Sequence, residues 1–362
     1  MNSAAVFTDR DGAALPDPAS EIRIATLHAT RGINFWSKRP VVRMDVSVGA
    51  FESISSADVP GAVEALMAAL PGLIEHECSI GARGGFRQRM RRGTYAPHII
   101  EHVALELQSI IGHDVGYGRT RGGDERGEYT IVFEHRHENV GLRAAALALE
   151  VVQRAFAGTL ETVDELVAEL RTLSETPPPP PLAGNVFCGV TGGSNRLEAQ
   201  DELRKRLDGS ADERVIVDLS PAYMLQAGLP YSRSDVAIVL DSAITDVPER
   251  YQESSQARRL LSIVADAVRW GGIVACPAKE WEIQDYAREQ DCRVAIFAAD
   301  DDITWRDQRV AMATARVLEG RIIIDHEGEQ HDAGVLGDAV APAAQVAAAL
   351  TAALVKADDR RP

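Results

Sequence analysis

Residues 177–181 are five consecutive prolines, set in the segment "SETPPPPPLAGN" (174–185). Each proline locks its φ angle and lacks a backbone donor, so the run can enter neither a helix interior nor a sheet ladder and extends as a polyproline spacer. The chain must therefore close a separate core on each side. Its 362 residues are enough for two cores of ordinary size. The expected organisation is a disordered lead-in over 1–20, a first domain over 21–174, a proline-rich linker over 175–184 and a second domain over 185–362.

Periodicity assigns a different class to each side. Before the prolines, strands "IRIATLHAT" and "PVVRMDVSV", helix "PGAVEALMAALP", a helix over 93–108, strand "GEYTIVFEH" and helix "GLRAAALALEVVQRAF" predict an α+β layer, closed by a helix in "TLETVDELVAELRTLSE". After them, "NVFCGVTGG", "RVIVDL", "SDVAIVLD", "GGIVACP", "CRVAIFAAD" and "GRIIIDH" are short β-branched runs. They alternate with helical stretches such as "SSQARRLLSIVADAVRW", which predicts an α/β domain with a parallel sheet covered by helices. The segment "VAPAAQVAAALTAALV" (340–355) reads as a covering helix, with an oligomer contact as the alternative.

A net charge of −16 argues against general nucleic-acid or anionic-membrane binding. The cysteines Cys78, Cys188, Cys276 and Cys292 form no CxxC pair, so neither a disulfide framework nor a zinc ribbon is indicated and a reducing cytoplasm fits. The N-terminus has no apolar core of a signal peptide, and no apolar run reaches transmembrane length.

The helix "GTYAPHIIEHVALELQ" (93–108) carries the clearest chemistry. Ile99, Ile100, Val103, Leu107, Ile110 and Ile111 share one arc, while His98, Glu101 and His102 share the opposite one. Histidines at i and i+4 can aim two imidazole nitrogens at one ion, and a glutamate between them can reach the water that the ion activates. The order His-x-x-Glu-His is that of inverzincin metallopeptidases. It predicts zinc on His98 and His102, with Glu101 as the general base. For the third ligand Glu134, at the end of a predicted strand, is preferred over His76 and Cys78. Glu106 lies on the same straight helix and would close poorly around a tetrahedral ion. The competing account is a pair of solvated or hydrogen-bonded helix histidines without metal.

Two glycine–arginine loops flank this helix. "CSIGARGGFRQRMRRG" carries Arg83, Arg87, Arg89, Arg91 and Arg92 with no acid among them, and "VGYGRTRGGDERG" carries Arg119 and Arg121. Guanidinium forks grip carboxylates in two-point fashion, so Arg83, Arg87, Arg89, Arg119 and Arg121 are candidate substrate-binding residues. In the second half, "GVTGGSNRLEAQDEL" stands where a strand, a phosphate loop and a helix are expected. Arg196 and Leu197 occupy the positions of the phosphate-loop lysine and hydroxyl, and Asn195 replaces the close-approach glycine. ATP is not expected there.

The segments "TRGINFWSKRPVVRMDV", "PGLIEHECSIGARGGFRQRMRRGTYAPHIIEHVALELQ", "VGYGRTR" and "YTIVFEHRHENVGLRAA" resemble the N-terminal domain of cyanophycin synthetases across roughly 21–157. "GVTGGSN", "SDVAIVLD" and "RLLSIVADAVRWGGIVACPA" are similar to the central Mur-ligase-like domain of the same enzymes. The intervening ATP-grasp domain is absent, so the resemblance does not imply ligation by this chain alone. It implies zinc-dependent cutting of cyanophycin, an aspartate-backbone polymer whose side-chain arginines leave exposed α-carboxylates. The arginine loops would suit those carboxylates, and Glu75, Glu77 and Glu138 the guanidinium ends. The rival expectation is a catalytically empty accessory protein that holds the polymer or docks on a cyanophycin synthetase. A homo-oligomer and ligation with a separate ATP-grasp partner are further expectations.

Overall fold

The computed structural model describes residues 14–177, 183–207 and 214–360. Residues 1–13 of the expected lead-in and 178–182 of the expected spacer lie outside the described residues. The chain divides into two compact units, Met1–Arg31 with Arg39–Pro180, and Gly32–Lys38 with Pro181–Pro362. The short Gly32–Lys38 segment, which the sequence reading placed in the first domain, thus belongs to the second unit. Its Phe35 is buried in that unit's core beside Tyr251, with ring centroids 5.4 Å apart.

The first unit holds strands β1 (Arg23–Ala29), β2 (Val41–Ser47), β3 (Gly118–Gly122) and β4 (Glu128–Glu134), and helices α1 (Pro18–Glu21), α2 (Ala62–Ala69), α3 (Gly85–Arg92), α4 (Ala96–Ile110), α5 (Glu138–Phe156) and α6 (Asp164–Ser174). Helix α1 begins inside the predicted lead-in, where Asp17 accepts from the Ala19 amide at 3.1 Å and Pro18 suits the first turn. The sheet is antiparallel throughout, in the order β1-β2-β4-β3. Val42, Met44 and Val46 alternate along β2 into the core and oppose Phe133, Ile131 and Tyr129 of β4. Helix α5 buries Val140, Ala144, Leu147, Ala148, Val151 and Ala155 at helical spacing, and α4 packs beside it.

Strand β3 falls in the second glycine–arginine segment, read from sequence as a loop. Its residues lack the apolar alternation of a half-buried strand. As an edge strand it needs only one partner, supplied by β4 from Gly118↔Phe133 to Gly122↔Tyr129.

The second unit is built on one sheet in the order β12-β11-β10-β9-β8-β7-β5-β6. Its strands are β5 (Ala183–Thr191), β6 (Ile216–Leu219), β7 (Tyr231–Val239), β8 (Val268–Pro277), β9 (Arg293–Phe297), β10 (Ala313–Leu318), β11 (Arg321–His326) and β12 (Glu329–Val335). Pairing is parallel from β6 to β10, as expected for an α/β domain, and antiparallel from β10 to β12. The antiparallel edge was missed because its hairpins turn on Glu319–Gly320 and Glu327–Gly328. All four residues have positive φ, the conformation usually marked by Asn-Gly or Asp-Gly.

Helices α8 (Pro221–Ala227), α9 (Glu249–Gln252), α10 (Ser254–Ala267) and α11 (Trp281–Glu289) supply Leu225, Tyr251, Leu260 and Ile283 to one core. Helices α7 (Arg196–Arg206) and α13 (Pro342–Asp359) supply Leu203, Leu350 and Leu354 to another; α12 (Trp305–Val310) precedes β10. The apolar C-terminal segment is therefore a covering helix of this unit, with Val346, Leu350 and Leu354 buried. Among the described residues no helix is long and apolar enough to cross a membrane.

Candidate metal centre

Helix α4 enters on Pro97 at its first turn, a position where the missing amide hydrogen costs nothing. The helix is buried on both arcs. Beyond the apolar stripe, Glu101, His102 and Glu106 are each only 6% exposed. The polar arc therefore does not face solvent; with the preceding loop and β3 it lines a cavity of about 790 Å³.

His98 and His102 both border this cavity, and the third donor beside them is Cys78. One donor atom from each of the three lies within 4.8 Å of the others. Cys78 Sγ is 3.3 Å from His98 Nε2, and the other ring nitrogen of His98 is 2.9 Å from the Thr94 hydroxyl. Cys78 is a non-glycine residue at φ 58°, a conformation with a steric cost that recurs at functional sites. Burial, with the charge of Arg89, lowers the His98 pKa to about 4, and burial with the neighbouring His98 and His76 lowers that of His102 to about 2. Both rings are thus neutral at ordinary pH and keep a lone pair for a ligand bond. A thiol and two neutral imidazoles are donor types that could hold a metal ion.

Glu134 does not join them. Its carboxylate accepts from the backbone amides of Gly116 and Tyr117 at 3.2 and 3.3 Å and pairs with Arg39 at 3.5 Å. The strand end that suggested it does carry a buried carboxylate, but one turned to the 116–117 backbone. His76 also borders the cavity, but its two ring nitrogens meet His102 and Glu106.

Glu101 opens into the same cavity and accepts a hydrogen bond from the Thr120 hydroxyl at 2.5 Å. Burial raises its pKa to about 7, against the lowering effect of Thr120. Gly118 makes room for it, since a Cβ there would stand 2.6 Å from the carboxylate.

Of the candidate substrate arginines, Arg89 and Arg119 line the cavity and Arg83, Arg87 and Arg121 do not. Arg83 is mostly exposed and paired with Glu75. Arg87 and Arg121 belong to α3 and the edge strand β3. Glu77 is at the cavity rim, while Glu138 pairs with Arg31.

In the second unit the altered phosphate loop joins β5 to α7. Its Gly193 and Ser194 amides donate to the Asp241 carboxylate at 3.0 and 3.3 Å, and the Ser194 hydroxyl does so at 3.1 Å. Arg196 turns away to Asp218 at 2.8 Å and to the Gly192 carbonyl at 2.7 Å. A carboxylate of the protein itself thus holds the amides that such a loop offers to a phosphate.

The cyanophycin synthase-like N-terminal domain family matches residues 42–157. Cyanophycin synthetase of Geminocystis herdmanii is 36% identical over 156 residues, 42% of this chain and 18% of that protein. For the synthetase of Synechocystis sp. the values are 38% over 147 residues, 40% and 17%, and for that of Trichormus variabilis 43% over 136 residues, 36% and 15%. The chain thus spans less than a fifth of the curated relatives it matches. Among solved structures, UDP-N-acetylmuramoylalanyl-D-glutamyl-2,6-diaminopimelate–D-alanyl-D-alanyl ligase from Acinetobacter baumannii is similar at a TM-score of 0.30 and 13% identity, covering 48% of this chain and 43% of the other. A second structure of MurF from that organism gives 0.32 and 12%, covering 65% and 50%.

Proposed function

We propose, for a chain whose residues 42–157 are a cyanophycin synthase-like N-terminal domain, that this unit is a metal-dependent hydrolase cutting the backbone of cyanophycin or a related arginine-bearing polyaspartate. The observation that supports this reading best is the convergence of Cys78, His98 and His102 on one point, with Glu101 in the same cavity. Those three side chains would hold the ion, zinc by their chemistry. When bound, it would supply Lewis-acid activation of a water and of the scissile carbonyl.

The remaining chemistry falls to the chain's own side chains. Glu101, with its pKa near neutrality, can take the proton of the attacking water and return it to the leaving amine, because a base works best when its pKa is close to the working pH. Thr120 holds that carboxylate by one oxygen, leaving the other for the water. Arg89 and Arg119 at the cavity wall suit the α-carboxylates of the polymer's arginines, and Glu77 a guanidinium. Nothing in this mechanism uses ATP, and the Asp241-capped loop favours a chain that does not activate carboxylates by itself.

The test is metal content and polymer length measured together on untagged protein, comparing wild type with Glu101→Gln. Near-stoichiometric zinc and shortening of cyanophycin by wild type only is the expected result. Protein that binds the polymer, holds no metal and leaves its length unchanged would replace the hydrolase with a binding or accessory role.

A further inference from the structure

Resting on the metal reading above, we infer that Glu106 and His76 are positioning residues that lock the His102 ring in the tautomer whose Nε2 is free for a metal ion. The chain of contacts is short and polar in one direction. His76 Nε2 lies 3.0 Å from Glu106 Oε2, and His76 Nδ1 lies 2.9 Å from His102 Nδ1. An ionised carboxylate only accepts hydrogen bonds. The proton of a neutral His76 therefore sits on Nε2, and its Nδ1 carries a lone pair. Two bare nitrogens at 2.9 Å would repel, so His102 donates from Nδ1 and its Nε2 is left unprotonated.

Two further contacts hold this arrangement in place. Phe86 stacks on the His102 ring, with centroids 3.9 Å apart and planes at 19°, which sets the ring plane. Gly72 gives the Glu106 carboxylate its place, since a methyl group there would collide with it. His98 has no equivalent: its Nδ1 meets the Thr94 hydroxyl, which can donate or accept and imposes no tautomer. Carboxylate-backed histidines of this kind typically change metal affinity 10–100-fold when the backing group is lost.

The experiment uses the full chain above the ordinary histidine pKa. Long-range nitrogen–proton correlation spectra of the metal-free protein read the tautomers, and competition with a chelating indicator reads zinc affinity. Wild type is expected to show His102 protonated on Nδ1 and His76 on Nε2. His76→Ala and Gly72→Ala should mix the His102 tautomers and weaken zinc binding roughly 10–100-fold, with thermal unfolding of the metal-free protein little changed. His76→Gln, whose amide can accept from His102 and donate to Glu106, should recover most of that affinity. Should His102 carry its proton on Nε2 in wild type, or His76→Ala bind zinc as tightly as wild type, the relay is overturned. Wild type with the expected tautomers and no zinc affinity would support the relay and overturn the metal reading instead.

Discussion

The sulfur of Cys78 lies 3.3 Å from Nε2 of His98, across twenty residues of sequence. That contact brings a thiol from a tight turn to the opening of a helix, where a ring is held neutral by burial and by Arg89. If the thiolate completes the donor set, Cys78→Ser should lower zinc affinity by several orders of magnitude while leaving the fold intact, because serine is isosteric and a poor zinc ligand. Equilibrium dialysis against buffered zinc, with circular dichroism as the fold control, checks this; unchanged affinity would remove Cys78 from the site.

Glu101 gives a pH dependence whose sign can be worked out. Its folded pKa of about 7 stands above the ordinary 4.5, so the unfolded chain ionises first as pH rises. The resulting penalty is absent below pH 4.5 and reaches on the order of 3 kcal/mol above pH 7. Metal-free Glu101→Gln should therefore be more stable than wild type at alkaline pH and similar to it near pH 4. His98 and His102, with lowered pKa values, act the other way: both proteins should lose stability as pH falls below 6.5. Urea titrations across pH measure both arms, and a constant gap between the two proteins would contradict the assignment.

Gly118 offers a perturbation that acts on the base and leaves the three metal donors untouched. A Cβ at this position of β3 would press on the Glu101 carboxylate. Gly118→Ala is expected to reduce turnover about 100-fold, since misplacing a catalytic group by an ångström costs that much, while zinc content stays at the wild-type level. Loss of zinc together with activity would show that Gly118 supports the ligands and not the base.

In the second unit, Asp241→Ala would strip the acceptor from the backbone amides of Gly193, Ser194 and Ala243 and from the Ser194 hydroxyl. These donors are exposed or half-buried and water can take them up, so a loss of about 0.5–1.5 kcal/mol is expected. The freed amides should then gain weak affinity for inorganic phosphate, visible as partial rescue of the thermal midpoint by phosphate in the variant only. Equal stabilisation of wild type would mean that the loop takes anions without displacing Asp241.

The legibility of the site followed the range of its contacts. His98, Glu101 and His102 could be read directly, because three- and four-residue spacings fix neighbours on one helix. Cys78, Thr120 and Gly118 could not, since each arrives from another element; the signal available for Cys78 was a cysteine immediately before a glycine-rich turn, which left it level with His76. Glu134 was preferred on the argument that a strand end projects a carboxylate, yet the amides of Gly116 and Tyr117 lie beside that end and take it. The same limit applied to the folds. Alternation found the parallel strands of the second unit, whereas β3 and β12 lie at sheet edges, where little apolar pattern is required.

By itself the sequence indicated a division at the prolines, an α+β unit before them and a unit repeating strand and helix after them, and two histidines and a glutamate on one helical arc. These are consequences of local geometry, the fixed φ of proline and the periods of helix and strand. Only the tertiary structure decided that this arc is buried against β3 and not bathed in solvent, that a cysteine stands where a glutamate was expected, and that Glu106 reaches His102 through His76. Each of those depends on groups brought together from distant segments, and burial, which sets the charge state of His98, Glu101 and His102, is a property of the packed unit that no spacing along the chain encodes.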